Sequence, residues 1–459
     1  MTLPVLRDDA LVSDREGFAL RLSLPWIRSL PLSSLQDLAV SVDGEPVGAR
    51  VREGHPEWWF LQDRVEVVTP GPLADGCHEV EVAFSLLIPY LPGAPGHPLV
   101  LPFRARRVLE LDAAPSAPSP AAAPRAPERT ASAAAAGRWT LAASAFNWTP
   151  EVIRAERSAP DIAVAIAAEG TADVLEVELG QSLRSFPAPS ADEATGLGTR
   201  IADVGGRVSI AGASIDDWTG DGERRSDDER LAFLLPQLHA AHALGAEGVR
   251  LPIGQAGEAL LRRLLPTLQE LDLTLYEEMQ GHQTPEREAA AVDVVAAIDD
   301  PHVRLLVDIS MLMPALPRTY LERMSALPPA LHARLREEWR DPGTSAAVTA
   351  ALHAGEVPPE LRTLFMNLIV RFGRSEAAVL RPILPLVGAF HLKFWDLEDD
   401  DGRVSAPIRD LGALLRGSDF RGTLCSEWGG HEWLDDDPTE TTRAHLALAR
   451  EALGAPSPE

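Results

Sequence analysis

The spacing of apolar residues changes character along the chain. Up to residue 111, short runs alternate apolar and polar positions with the period of two that a half-buried strand requires. Asp63–Val68 and His78–Phe84 alternate strictly and Phe18–Leu24 more loosely. Leu38–Val42 runs into Asp43-Gly44, a two-residue hairpin signal. Pro and Gly separate the runs, and no long helical spacing appears. These features predict a small all-β, sandwich-like domain over residues 1–111.

From residue 138 to 459, short apolar runs alternate with longer helical patterns. Strands are expected near Thr140–Ala145, Val174–Leu179, Val208–Ser214, Gly248–Ile253, Leu273–Gln280, Arg304–Ile309, Ala389–Phe394 and Thr423–Glu427. Helices such as Asp228–Leu244 and Glu258–Glu270 fall between them. Eight such units predict an α/β fold, a (β/α)8 TIM barrel. The sixth and seventh strands stand further apart than the others. The extra stretch, about 314–386, reads as several helices leaving the barrel at its C-terminal face, which predicts a lid or pocket wall. The seam between the two halves, residues 112–137, is rich in Ala, Pro and Ser and reads as a semi-stiff linker.

Composition narrows the function. The 459 residues suit two or three domains, and 45% are apolar, enough for a sizeable core. The formal charge, 42 − 68 = −26, disfavours nucleic acid and anionic membrane as partners. No apolar run reaches the roughly 18 residues a spanning helix needs. Cys77 and Cys425 are the only cysteines, so no disulfide framework is expected. The N-terminal residues show no signal-peptide pattern, and a cytoplasmic location and a homo-oligomer are expected. The basic residues are almost all Arg; Lys393 is the single lysine.

The last four barrel strands end in Leu-Tyr-Glu-Glu-Met-Gln-Gly-His, Leu-Leu-Val-Asp-Ile-Ser, Ala-Phe-His-Leu-Lys-Phe-Trp and Leu-Cys-Ser-Glu-Trp-Gly-Gly-His. Barrel active sites lie at C-terminal strand ends. A lone acid there is usually a turn residue or helix cap; Glu278, Asp308, His391 and Glu427 on four consecutive strands point to a shared divalent metal. Three carboxylates and one imidazole form a mostly hard set, best suited to Mn²⁺, with Mg²⁺, Co²⁺ or Zn²⁺ also accommodated. Strand parity selects Glu278 over Glu277, because Thr274, Tyr276, Glu278 and Gln280 share the inward face. The same parity sets Lys393 beside His391. A lysine inside a barrel mouth resists replacement by the longer, planar arginine and can steady a developing oxyanion. His282 is a candidate acid or base. Gln280, Trp428 and His431 are candidate substrate contacts, and Trp395 and Trp433 are either core or a stacking wall.

The Glu, Asp, His, Glu order on strands five to eight resembles the sugar phosphate isomerase/epimerase superfamily of xylose isomerase-like barrels, over roughly residues 138–455. Ser-Glu-Trp-Gly-Gly-His at Glu427 and His-Leu-Lys-Phe at His391 resemble more specifically the α subunit of bacterial C-glycoside deglycosidases. The N-terminal segment is similar to their β subunit through Leu24–Ser34, Trp59–Arg64 and Ile88–Pro92. The two parts, commonly separate chains, stand fused here as β then α. Gln280 stands where isomerase-type relatives often carry His, which throws a proton-carrying role onto His282; Gly429 stands where the family often has an acid.

The resemblance implies a small-molecule glycoside substrate already oxidised at C3. It implies a metal that acts as Lewis acid on the C3 carbonyl and C2 hydroxyl, and a base for the C2 proton. Elimination of the aglycone from C1 follows, with Glu278, Glu427 or His282 as base and Lys393 steadying negative charge. A keto-sugar isomerase or epimerase on the same metal is the alternative.

Overall fold

The computed structural model describes residues 4–114 and 139–454. The expected linker at 112–137 therefore lies, from residue 115 on, outside the described residues.

Residues Leu6–Glu110 form two four-stranded antiparallel sheets. One sheet runs in the order Leu6–Asp14, Gly17–Ser23, Arg64–Pro70, Arg50–Val51. The other runs Pro98–Glu110, Cys77–Pro92, Leu35–Val42, Glu45–Val47. The alternation read from sequence places Leu20, Leu22, Val65 and Val67 of one sheet and Val80, Val82 and Phe84 of the other in the core. At the hairpin, Val42 pairs with Glu45 around Asp43 and Gly44, whose φ angles of 52° and 85° are those of a type I′ turn.

The second part is a closed barrel of eight parallel strands, as the periodicity predicts. Its strands one to eight are Thr140–Ser144, Val174–Glu178, Arg207–Gly212, Gly248–Pro252, Thr274–Met279, Val303–Asp308, Val387–Phe394 and Thr423–Trp428. Inward positions fill in layers. An apolar floor contains Ala142, Val174, Ile210, Tyr276, Leu306, Ala389 and Cys425. Two residues further along each strand, the floor gives way to Ser144, Glu176, Gly212, Arg250, Glu278, Asp308, His391 and Glu427. A two-residue step keeps a side chain on the same face, so the sequence of each strand carries a greasy base and a charged mouth.

Between strands six and seven, helices including Arg318–Arg323, Pro329–Glu337 and Pro342–His353 build a second apolar core. Tyr320, Phe372, Trp395 and Trp433 meet there edge to face. This segment bridges the mouth. Its Val370 carbonyl receives a 2.9 Å hydrogen bond from the His282 ring, and its Asn367 amide donates to Glu432 at 2.8 Å.

The sheet domain is docked on the barrel through buried polar contacts. The Arg28 guanidinium meets Asp216 at 2.8 Å and donates to Ser214, while lying 4.0 Å over the Tyr90 ring. Gln62 donates to the Val152 and Arg157 carbonyls at 2.8 and 2.7 Å, and Trp58 packs against Phe186 and Phe233. Among the described residues, no helix is long and apolar enough to cross a membrane.

Candidate metal centre

Glu278, Asp308, His391 and Glu427, all buried, offer donor atoms that lie within 4.8 Å of one another. The barrel brings them together because each is the inward residue at the end of its strand. The next strand position turns the other way. Glu277 accordingly leaves the cluster and accepts the Gly254 N–H at 3.1 Å; burial pushes its carboxyl up to about 7.

Three of the four cluster residues have one atom engaged by protein and another turned into the common space. Glu278 accepts from Arg250 at 2.7 Å on Oε2, leaving Oε1 toward the centre. Asp308 accepts the Ser310 N–H at 2.7 Å on Oδ1, while its buried Oδ2 has no partner. His391 holds Glu176 at 2.9 Å with Nε2. Its Nδ1 lies 3.1 Å from Glu278 and 3.3 Å from Glu427, yet in hydrogen-bond geometry with neither. A ring nitrogen and carboxylate oxygens converging without a shared proton are what a cation between them would require. Glu427 receives the Lys393 Nζ at 2.7 Å on Oε2.

The charges agree. Among the described residues, the five acids Glu176, Glu178, Glu278, Asp308 and Glu427 have Arg250 and Lys393 as their nearest permanent cations. Burial raises Asp308 to about 6. Burial would lower His391, but Glu176 and Glu427 hold it well above its ordinary value. Burial opposes the ionised form of Glu278 too, yet Arg250 and His391 bring it down to about 2. A cluster that raises both Asp308 and His391 is short of positive charge, which a divalent ion would supply. The residues present therefore fit a divalent metal.

The other candidates separate. The Lys393 side chain is 7% exposed, beside Glu427 and 5.4 Å from the Phe146 ring centre. His431 is buried between Phe146 and Trp428, its Nε2 unpartnered, and burial with the nearby Lys393 charge lowers its pKa to about 3. His282 is not in the cluster: it is exposed and tied to the helical segment between strands six and seven at Val370. Trp428 is buried, its indole donating to the Trp395 carbonyl at 2.8 Å, so it packs rather than presents a face. Gln280 stands half-buried at the end of strand five, its N–H donating to Gln283. A side chain at Gly429 would press on Trp395 Nε1 and Lys393 Cε, which accounts for the missing acid there.

Sequence reading missed Glu176, Glu178 and Arg250. Their signal was present: two acids two positions apart in the apolar strand Val174–Glu178, and an arginine between Val249 and Leu251. Attention to the last four strands alone passes over charges that strands two and four turn into the same mouth.

Barrel, mouth and donor set define a (β/α)8 barrel with a buried acid and histidine cluster that could hold a divalent metal. No family model matches the chain. Residues of this chain are 40% identical over 111 positions to the 3'-dehydrocarminate deglycosidase beta subunit of a Microbacterium species, covering 21% of this chain and 83% of that one. Over 302 residues it is 26% identical to a C-glycoside deglycosidase alpha subunit of Arthrobacter globiformis, covering 63% and 85%. It is also 25% identical over 298 residues to the Microbacterium 3'-dehydrocarminate deglycosidase alpha subunit, covering 61% and 85%. The chain belongs to the C-glycoside deglycosidase family.

Proposed function

We propose that this protein cleaves the C-glycosidic carbon–carbon bond of a 3-oxo-C-glycoside and releases the aglycone. The observation that carries the reading is the conjunction in one chain of segments similar to the beta and alpha subunits with a buried four-donor cluster at the barrel mouth. On this reading residues 1–111 are the β-like domain, 112–137 the linker and 138–459 the α-like barrel.

Glu278, Asp308, His391 and Glu427 hold the metal, and the oxygen-rich set with one imidazole favours Mn²⁺. When bound, the ion supplies Lewis acidity toward the C3 carbonyl oxygen and C2 hydroxyl of the sugar. Lys393 Nζ, fixed by Glu427, places a compact cation where negative charge develops. With His282 held away from the cluster, Glu278 or Glu427 is the base for the C2 proton. The His431 ring is neutral, buried and free at Nε2, so it accepts a hydrogen bond from a substrate hydroxyl. The bond electrons of C1–aglycone leave with the aglycone carbon, which takes up a proton, while C1 and C2 become doubly bonded. One proton is lost and one gained, so neither water nor an oxidant is consumed. The apolar lid core keeps water from this exchange.

The test is incubation with a 3-oxo-C-glucoside and, separately, with ketohexoses, each with Mn²⁺. Free aglycone from the first is the expected result. Epimer from the second without aglycone from the first would instead mark an isomerase or epimerase.

A further inference from the structure

The Glu176 and Arg250 side chains lie inside the barrel on strands two and four, away from the four strands that carry the ligands. Glu176 is wholly buried, and one of its carboxylate oxygens holds His391 Nε2 at 2.9 Å while the other accepts from Arg250 Nε at 2.8 Å. Arg250 then spends its remaining nitrogens on Glu178 and on Glu278, the latter at 2.7 Å. Glu178 fits because strand three carries Gly212 opposite it in register; a Cβ at Gly212 would stand 2.2 Å from the Glu178 carboxylate.

This wiring has a chemical consequence. A neutral imidazole carries its proton on one nitrogen, and that nitrogen is the one facing an acceptor. A carboxylate at Nε2 puts the proton there and bares the Nδ1 lone pair to the cluster. Arg250 occupies Oε2 of Glu278, so that ligand offers Oε1 alone. We propose that Glu176 and Arg250 are positioning residues for the metal centre, selecting which atom of His391 and of Glu278 faces the ion. The proposal rests on the metal reading above. It adds that part of what tunes affinity comes from strands that contribute no ligand.

The test is divalent binding by the full chain, titrated with Mn²⁺ in a calorimeter. Leucine at 176 removes the acceptor; glutamine keeps an acceptor oxygen but removes the charge. Glu176→Leu is expected to weaken Mn²⁺ binding by about 100-fold and Glu176→Gln by about 10-fold. Arg250→Met should fall in the same range. Wild-type chain that binds no Mn²⁺ would sink the metal reading itself. Wild-type chain that binds, with all three variants within about threefold of it, would overturn the positioning proposal and leave the metal reading standing. If Glu176→Leu does not fold, the glutamine variant decides: unchanged affinity overturns the proposal, and a graded loss with an unchanged circular dichroism spectrum supports it.

Discussion

Lys393 Nζ lies 2.7 Å from Glu427 Oε2, and the two residues are register partners on strands seven and eight of the barrel. The pair joins the chain's single lysine to a member of the buried four-residue cluster. Burial works against its charge, but Glu427 and Asp308 keep its pKa above the ordinary value. On the proposed reading its cation would compete with a metal for the same carboxylate and supply a local positive charge for the chemistry.

That dual position makes Lys393→Met diagnostic. Mn²⁺ affinity is expected to stay equal or to tighten, because a competing cation is gone. Turnover of a 3-oxo-C-glycoside is expected to fall about 10²- to 10³-fold, the loss typical of one removed charge-stabilising group. Lys393→Arg should not restore it, since the guanidinium is longer and planar. Calorimetry and aglycone release measured on the same sample check both halves. Lost metal binding in Lys393→Met would show the lysine to be structural.

Metal removal should read out as stability. An ion that binds only the folded chain stabilises it by about 2.7 kcal/mol at a hundredfold excess over Kd. Adding Mn²⁺ to chelator-treated protein is therefore expected to raise Tm by several degrees. His391→Ala should show no such rise, because it removes Nδ1 from the centre. An equal Mn²⁺-dependent rise in this variant would remove His391 from the ligand set.

Much of this was legible before the structure. The eight barrel strands could be read because each is a short β-rich run between helical stretches, and period decides that without tertiary knowledge. Glu278 could be chosen over Glu277 because a two-residue period leaves one of two neighbours inside. What could not be read depends on distance across the barrel. Glu176 and Arg250 sit mid-strand, and no local pattern says that a buried acid on strand two will meet an imidazole on strand seven. His282 misled for the opposite reason. Its closeness in sequence to Glu278 suggested the site, but the loop carries it outward to the Val370 carbonyl. Trp428 reads from sequence as a substrate contact, and the packing of its indole on the Trp395 carbonyl is visible only in three dimensions.

The Arg28–Asp216 pair predicts how the two halves hold together. Asp216 is fully buried and Arg28 nearly so, with the ring of Tyr90 over the guanidinium. Breaking one partner leaves a buried charge unpaired, at a cost of about 3–5 kcal/mol. Asp216→Leu alone is expected to lose that much in urea unfolding. The double variant Arg28→Met with Asp216→Leu should recover a large part, since neither charge then remains buried. Additive losses would show that the two side chains do not depend on each other.

His445 sets an acid limit on the fold. Its ring is fully buried, stacks on Phe394 at 3.8 Å and holds Ser426 Oγ through Nδ1, and burial drops its pKa from 6.5 to about 3. The sign follows from which state binds the proton. Above pH 6.5 the ring is neutral folded or unfolded, and its contribution is fully present. As pH falls below 6.5 the unfolded chain takes up a proton that the folded chain refuses until about pH 3. Folding then weakens by about 1.4 kcal/mol per pH unit through this one group. Phenylalanine keeps the stacking and cannot titrate. Unfolding free energy measured from pH 7 down to 5 should therefore fall less steeply in His445→Phe than in wild type, the difference in slope growing toward one proton as pH nears 5. Equal slopes would mean that the folded protein already accommodates the charged ring.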